Sequence, residues 1–129
     1  NEYNLVCVKI SPLKTAMIGD GFAIMIAIDR FDIEIYYLYK KNSDIGKYPC
    51  GSFFAQAYDS QDREGLLSGE GAEIYIKNCL MIVAKGLASK WENVLEGDKK
   101  WLEKYRSSSR YAKEKLTADE KGTFEKYFD

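Results

Sequence analysis

Hydrophobic and polar positions follow two different rhythms along the chain, and the change falls near residue 70. Before it, runs rich in Ile, Val, Phe and Tyr are separated by turn formers, the pattern of short strands. These runs cover residues 3–10, 22–28, 31–39 and, more briefly, 52–57. In the third run Phe31, Ile33, Ile35, Tyr37 and Tyr39 share one face, while Asp32, Glu34, Tyr36 and Leu38 share the other, so one side is expected to be wet. The second run, Phe-Ala-Ile-Met-Ile-Ala-Ile, lacks polar alternation and predicts a strand covered on both faces. Only Asp29 and Arg30 separate these runs, which predicts a tight hairpin, with a slightly longer bulged connection as the alternative. Residues 40–49, with Asn42, Ser43, Asp44 and Gly46, read as a loop.

From about Glu70 the apolar positions Ile76, Leu80, Val83, Ala84, Leu87, Trp91, Val94 and Leu95 recur at spacings of three and four, which predicts a long helix. Gly97 is its stop signal, and Asp98 is an N-cap for a second helix starting at Lys99 with Trp101, Leu102 and Tyr105 as its stripe. Ser107, Ser108 and Ser109 compete for backbone hydrogen bonds and predict a break. Thr117-Ala-Asp-Glu120 matches a capping box opening a last helix, with Phe124, Tyr127 and Phe128 on its apolar side. The expected fold is a single α+β domain over residues 1–129. Its mainly antiparallel sheet has about four strands from the N-terminal half, packed by two to three C-terminal helices.

Length and composition agree with that layout. The 129 residues suit one domain with its own core, and 46% hydrophobic with 30% charged residues is globular. No apolar run approaches the roughly 20 residues needed to span a bilayer, and the first ten residues lack a secretory signal, so the cytoplasm is the expected compartment. Cys7, Cys50 and Cys79 are odd in number and far apart, which fits free thiols in a reducing compartment. Cys7 and Cys79 sit in apolar runs that predict burial.

The chain has no histidine, so it lacks the commonest general base, every Ser-His or Cys-His nucleophile pair and a ready zinc ligand set. No catalytic residue, metal site or cofactor is assigned, and the expected class is not an enzyme. Gly19-Asp20-Gly21 matches neither phosphate-loop pattern and reads as a turn. Asp20, Asp29, Asp32 and Glu34 lie close in sequence. A small-ligand or metal-binding, enzyme-like use of this acidic hairpin is one alternative function.

The overall charge is nearly balanced, 19 basic against 20 acidic residues, but its distribution is not. Residues 58–73 carry Asp59, Asp62, Glu64, Glu70 and Glu73 against Arg63 alone, an acidic rim next to Tyr58 that suits a basic partner. Asp32, Glu34 and Tyr36 form a second candidate interface if helices leave that face open. Residues 99–115 hold seven Lys and Arg against Glu103 and Glu114, interleaved with Trp101, Tyr105 and Tyr111, and a nucleic-acid-binding module is the second alternative. The aromatics there also fit a core stripe, and nucleic acid is not the expected partner. Ten Tyr and two Trp exceed what a core of this size needs, which favours protein recognition.

A sheet followed by helices, the acidic stretch Asp59-Ser-Gln-Asp-Arg-Glu64 and the run from Trp91 to Trp101 together resemble the small immunity proteins that bacteria encode beside contact-dependent or other polymorphic toxins. The resemblance implies binding and neutralisation of one cognate protein toxin, often a basic nuclease, by covering its active site or substrate groove. Acidic side chains would then pair with toxin Lys and Arg, and aromatics would anchor the interface. No membrane partner is implied.

Overall fold

The computed structural model describes residues 3–30 and 32–128. Five strands run in chain order as an antiparallel meander: β1 (Val6–Ser11), β2 (Lys14–Ile18), β3 (Phe22–Asp29), β4 (Asp32–Lys41) and β5 (Asp44–Pro49). Helices follow, so the fold is α+β with sheet first, and it has five strands where the hydrophobic runs predict about four. The β3–β4 hairpin is tight, with Asp29 opposite Asp32 and Arg30 at φ 43°; Phe31 lies outside the described residues. Gly19-Asp20-Gly21 forms the β2–β3 turn, where Gly21 takes φ 78°.

Two segments differ from the pattern reading. Residues 44–49, expected in a loop, form β5 because Asn42 tolerates φ 60° and lets the chain reverse, pairing Lys41 with Asp44. The few apolar residues of β5 give little local signal, and its pairing with β4 makes it a strand. Residues 52–57, expected as a strand, contain instead the short helix α1 (Gly51–Ala55). Ser-Phe-Phe-Ala lacks period-two alternation, and Pro49, without an amide hydrogen, ends β5 just before it.

A 3-10 turn at Gln61–Arg63 leads to α2 (Ala72–Lys90), α3 (Glu92–Leu95), α4 (Trp101–Ser107) and α5 (Ala118–Tyr127). The long apolar stripe breaks at Trp91, whose ring nitrogen donates to the Phe54 carbonyl at 2.9 Å. Gly97 at φ 94° follows α3, and an Asp98 carboxylate oxygen accepts the Lys100 amide at 3.3 Å, so α4 begins slightly later than expected. At its other end the Ser108 hydroxyl donates to the Tyr105 carbonyl at 2.7 Å, the competition expected of that serine run. Among the described residues no helix is long and apolar enough to cross a membrane.

Strand alternation gives the sheet two apolar faces. On the inner face Phe22, Ile24, Ile35, Tyr37, Tyr39 and Tyr48 are buried beneath side chains of α1 to α4, among them Phe54, Leu87, Val94, Trp101 and Tyr105. Tyr37 meets Trp101 edge-on at 4.9 Å and Tyr39 stacks on Tyr48 at 5.6 Å, ring pairs worth about 0.5–1.5 kcal/mol each beyond their buried area. Much of the tyrosine excess read from composition as surface anchors therefore lies inside the molecule. On the outer face Ala16, Ile18, Ala23, Met25 and Leu38 are buried under Phe124 and Phe128 from α5 and its C-terminal end. The outer face of β4 is covered there because Val8, Ile10 and Ile18 make the neighbouring sheet surface apolar, and Leu38 is fully buried.

Two charges are buried in this outer layer, Lys47 of β5 and Glu120 of α5. Glu120, 1% exposed, completes the capping box by accepting the Thr117 amide at 3.1 Å. Its carboxylate oxygens also lie 2.8 Å from Lys14 and 2.8 Å from Lys47. Burial pushes the Glu120 carboxyl up, but the hydrogen bonds from Lys14, Lys47 and Thr117 outweigh it and hold the group below its ordinary value. Two sheet lysines thus clamp α5 in place.

Glu120→Gln leaves Lys14 and Lys47 without their shared anion. The expected loss is about 3 kcal/mol, at the low end for a broken buried pair because Lys14 is partly exposed. The wild-type contribution is complete above the ordinary glutamate value of 4.5 and is lost as pH falls through the lower value in the folded state. Urea midpoints from pH 7 to 3 should therefore converge for wild type and variant; parallel profiles would refute the clamp.

Candidate protein-binding surface

The acidic segment between sheet and helices divides into a part that is structural and a part that projects. Asp62 is buried, and one oxygen accepts the Ser89 hydroxyl at 2.6 Å while the other accepts the Asp59 amide at 2.9 Å and faces Lys90 at 3.2 Å. Asp59 caps the same 3-10 turn through the Gln61 and Asp62 amides and lies 3.0 Å from Lys90. The Ser89 hydroxyl bond and the Asp59 amide, with Lys90 beside them, hold the Asp62 carboxyl down to about 2. The two aspartates thus fasten the loop to the C-terminal end of α2. Tyr58 joins them, half-buried with its ring against Gly86, and burial raises its phenol to about 12.

Glu64, Glu70 and Glu73 remain exposed at the other end of the segment. Glu73 meets Lys77 one turn on at 3.1 Å, a solvent-exposed pair worth only about 0.3–0.5 kcal/mol. The Asn78 side chain accepts the Leu67 amide at 2.8 Å and donates to its carbonyl at 3.1 Å, which holds Leu66 and Leu67 beside α2. Those leucines are 37% and 47% exposed, and Tyr75 is 52% exposed.

The helix they flank is unusual. From Ile74 to Val83 its sequence is Ile-Tyr-Ile-Lys-Asn-Cys-Leu-Met-Ile-Val, apolar on nearly every side. A helix hydrophobic all round is normally buried, yet in α2 only Gly86 and Leu87 are buried. Of its other apolar residues Val83 packs against the core, while Ile74, Ile76, Cys79, Leu80, Met81 and Ile82 are half-buried and lie outside both core clusters. The C-terminal half packs on the domain and its Lys85 donates to the Glu64 carbonyl, while the N-terminal half leaves Tyr75 exposed and its other apolar residues partly exposed, next to Glu70 and Glu73.

The second group of sequence candidates is dispersed. Asp32 is exposed, binds the Ile33 amide at 2.8 Å, and lies near enough to α2 to act on Tyr75. The Tyr75 phenol is raised first by its Cys79 neighbour and then by Asp32. Glu34 lies further along β4, raised by burial, with an oxygen on the Ile35 amide at 3.2 Å. Tyr36 is half-buried beneath Lys47, whose ammonium is 4.5 Å from the ring centroid, and burial raises its phenol to about 12. Asp32 therefore borders the α2 surface, whereas Tyr36 belongs to the layer under α5.

Among the described residues no three His, Cys, Asp or Glu side chains converge as metal ligands. The cysteines reverse the expectation of burial: Cys7 is exposed on the edge strand, Cys79 is partly exposed on α2, and Cys50 is the fully buried thiol, raised by burial to about 12. Cys7 lies on the outermost strand β1, and Cys79 on the half-buried first half of α2. Leu66, Leu67, Tyr75, Met81 and Ile82 were not singled out by the stripe analysis. For Tyr75, Met81 and Ile82 the signal is the near absence of a polar face between Ile74 and Val83, and Leu66 and Leu67 are placed only by their bonds to Asn78.

No protein-family model, curated protein or solved structure matches this chain.

Gly86 is the contact on which the loop's attachment turns. In an open helix Gly→Ala stabilises by about 1 kcal/mol, but a Cβ at position 86 would fall 2.2 Å from the Tyr58 ring. Gly86→Ala is expected to destabilise by about 1–3 kcal/mol, and limited proteolysis should cut residues 60–70 faster. A raised urea midpoint would show that Tyr58 does not pack there.

Proposed function

We propose that this domain is an immunity-type inhibitor that binds a basic protein toxin through the loop at residues 64–73 and the first half of α2, covering the toxin's active site or substrate groove. The observation that carries the reading is the exposed group Leu66, Leu67 and Tyr75 on a partly exposed apolar helix segment, with Glu70, Glu73 and Asp32 around it and Glu64 on the adjoining loop. Contiguous apolar surface is costly in water and marks sites of association. Tyr75 supplies an anchor of the kind that dominates interface energies and Leu67 adds apolar area beside it; each is already half covered and so gains about 1 kcal/mol on full burial. The carboxylates around them favour a cationic rim on the partner, which accelerates encounter and rejects acidic surfaces. The absence of histidine from the chain fits a role in blocking chemistry rather than performing it.

The nucleic-acid reading of residues 99–115 is less well supported, since Trp101 and Tyr105 are buried and of the three interleaved rings only Tyr111 is exposed.

The test is binding to the product of the neighbouring gene, with protection of cells that express it. Tyr75→Ala is expected to weaken the complex by about 2 kcal/mol, roughly thirtyfold. Reversing Glu64, Glu70 and Glu73 to Lys should slow association at low salt by at least about tenfold, with the difference shrinking as salt rises. Neither binding nor protection would sink the proposal, and a complex indifferent to both sets of changes would move the interface elsewhere.

A further inference from the structure

On the far side of the sheet, an open cleft of about 890 Å³ lies between the β4–β5 hairpin, residues 113–116 and α5. The Glu114 amide donates to the Lys47 carbonyl at 2.9 Å, so the segment leading to α5 runs along the β5 edge and forms one wall. Ile45, Leu116 and Phe128 give the cleft an apolar lining, and Lys40 and Lys115 are at its rim. A second cleft of about 350 Å³ adjoins it at Ser43, Asp44 and Lys113, and is lined by Lys41 and the stacked rings of Tyr39 and Tyr48. The Tyr39 hydroxyl accepts a hydrogen bond from Arg106, which adds a further cation beside that cleft.

The carboxylates here are already opposite lysines: Asp44 with Lys113 at 3.7 Å, Glu114 with Lys47 at 3.9 Å, and Glu125 with Lys121 at 3.9 Å. Lys40, Lys41 and Lys115 have no carboxylate within ion-pair distance among the described residues. Lys40 and Lys41 are adjacent on β4 and so face opposite sides of the sheet, one into each cleft. The hairpin end therefore carries unneutralised positive charge above an apolar floor. The larger volume falls within the roughly 300–1,000 Å³ of small-molecule sites.

We propose that this larger cleft binds a small phosphorylated ligand of the nucleotide class, with phosphate oxygens held by Lys40 and Lys115 and the planar, less polar part against Ile45, Leu116 and Phe128. Lysine ammoniums suit phosphate as mobile point charges, and an apolar floor selects a ligand with more than phosphate to bury.

The experiment is isothermal titration of the full chain at low salt with ATP, inorganic pyrophosphate and a single-stranded oligonucleotide. ATP should bind one to one, at least about tenfold, or about 1.4 kcal/mol, tighter than pyrophosphate. Lys40→Ala with Lys115→Ala should weaken ATP at least tenfold, Arg at both positions should restore it, and Lys99→Ala with Lys100→Ala should leave it unchanged. Melting curves check that each variant folds. No ATP binding at millimolar concentration, pyrophosphate binding as tightly as ATP, or equal weakening by the Lys99 and Lys100 changes would each overturn the proposal. An oligonucleotide held more tightly than ATP would replace it with a nucleic-acid surface.

Discussion

The central strand β3 is apolar on both sides, and that constrains the rest of the structure. Phe22 and Ile24 face one way, Ala23 and Met25 the other, and all four are buried. Such a strand is stable only between two covering layers. The inner face receives α1 to α4 with their aromatic side chains. The outer face receives α5, which arrives last in the chain and contributes few large apolar residues. Small residues at Ala16 and Ala23 in the outer layer and the lysine clamp on Glu120 compensate for that short helix. Without α5, Val8, Ile18, Met25 and Leu38 would face water together.

Filling the inner face with rings from α1 and α4 and with Val94 and Leu95 from α3 changes what α2 is for. Tyr37, Tyr105, Phe54 and Trp101 occupy the space over the sheet, so α2 contributes little beyond Leu87 and Val83. Its second half is held by Asp62, Ser89, Lys90 and the close approach of Tyr58 to Gly86. In the first half Tyr75 is exposed, and Ile74, Ile76, Cys79, Leu80, Met81 and Ile82 are only half-buried and lie outside both core clusters. Their incomplete burial, with Tyr75, Leu66 and Leu67 exposed beside them, fits a helix kept for contact with another molecule.

Charge follows the same division. Asp62 and Glu120 are internal fasteners, each satisfied by lysine and by amide or hydroxyl donors, and Asp59 is bound to the first of them. Glu70 and Glu73 remain in water at the N-terminal end of α2, and Glu64 remains exposed on the loop beside Lys85. The uncommitted cations Lys40, Lys41 and Lys115 gather at the opposite hairpin. A nearly neutral chain thus presents an acidic apolar surface and a basic cleft as separate features.

By itself the sequence determined what short-range physics controls. The uninterrupted apolar run of β3 required cover on both faces, Thr117 and Glu120 set the start of α5, the serines after Tyr105 ended α4, and Gly97 ended the helical run from residue 70, although not its break at Trp91. Each depends on residues a few positions apart. Tertiary structure decided the rest, because each outcome depends on a partner distant in the chain. Residues 44–49 are a strand because β4 offers a hydrogen-bonding edge, and residues 51–55 are a helix because Phe54 drops into the core. Asp62 is internal because Ser89 and Lys90 meet it, and Leu38 is dry because α5 returns across the sheet. Hydrophobic spacing predicted that α2 would be helical, but its exposed first half was settled only when other side chains filled the core ahead of it.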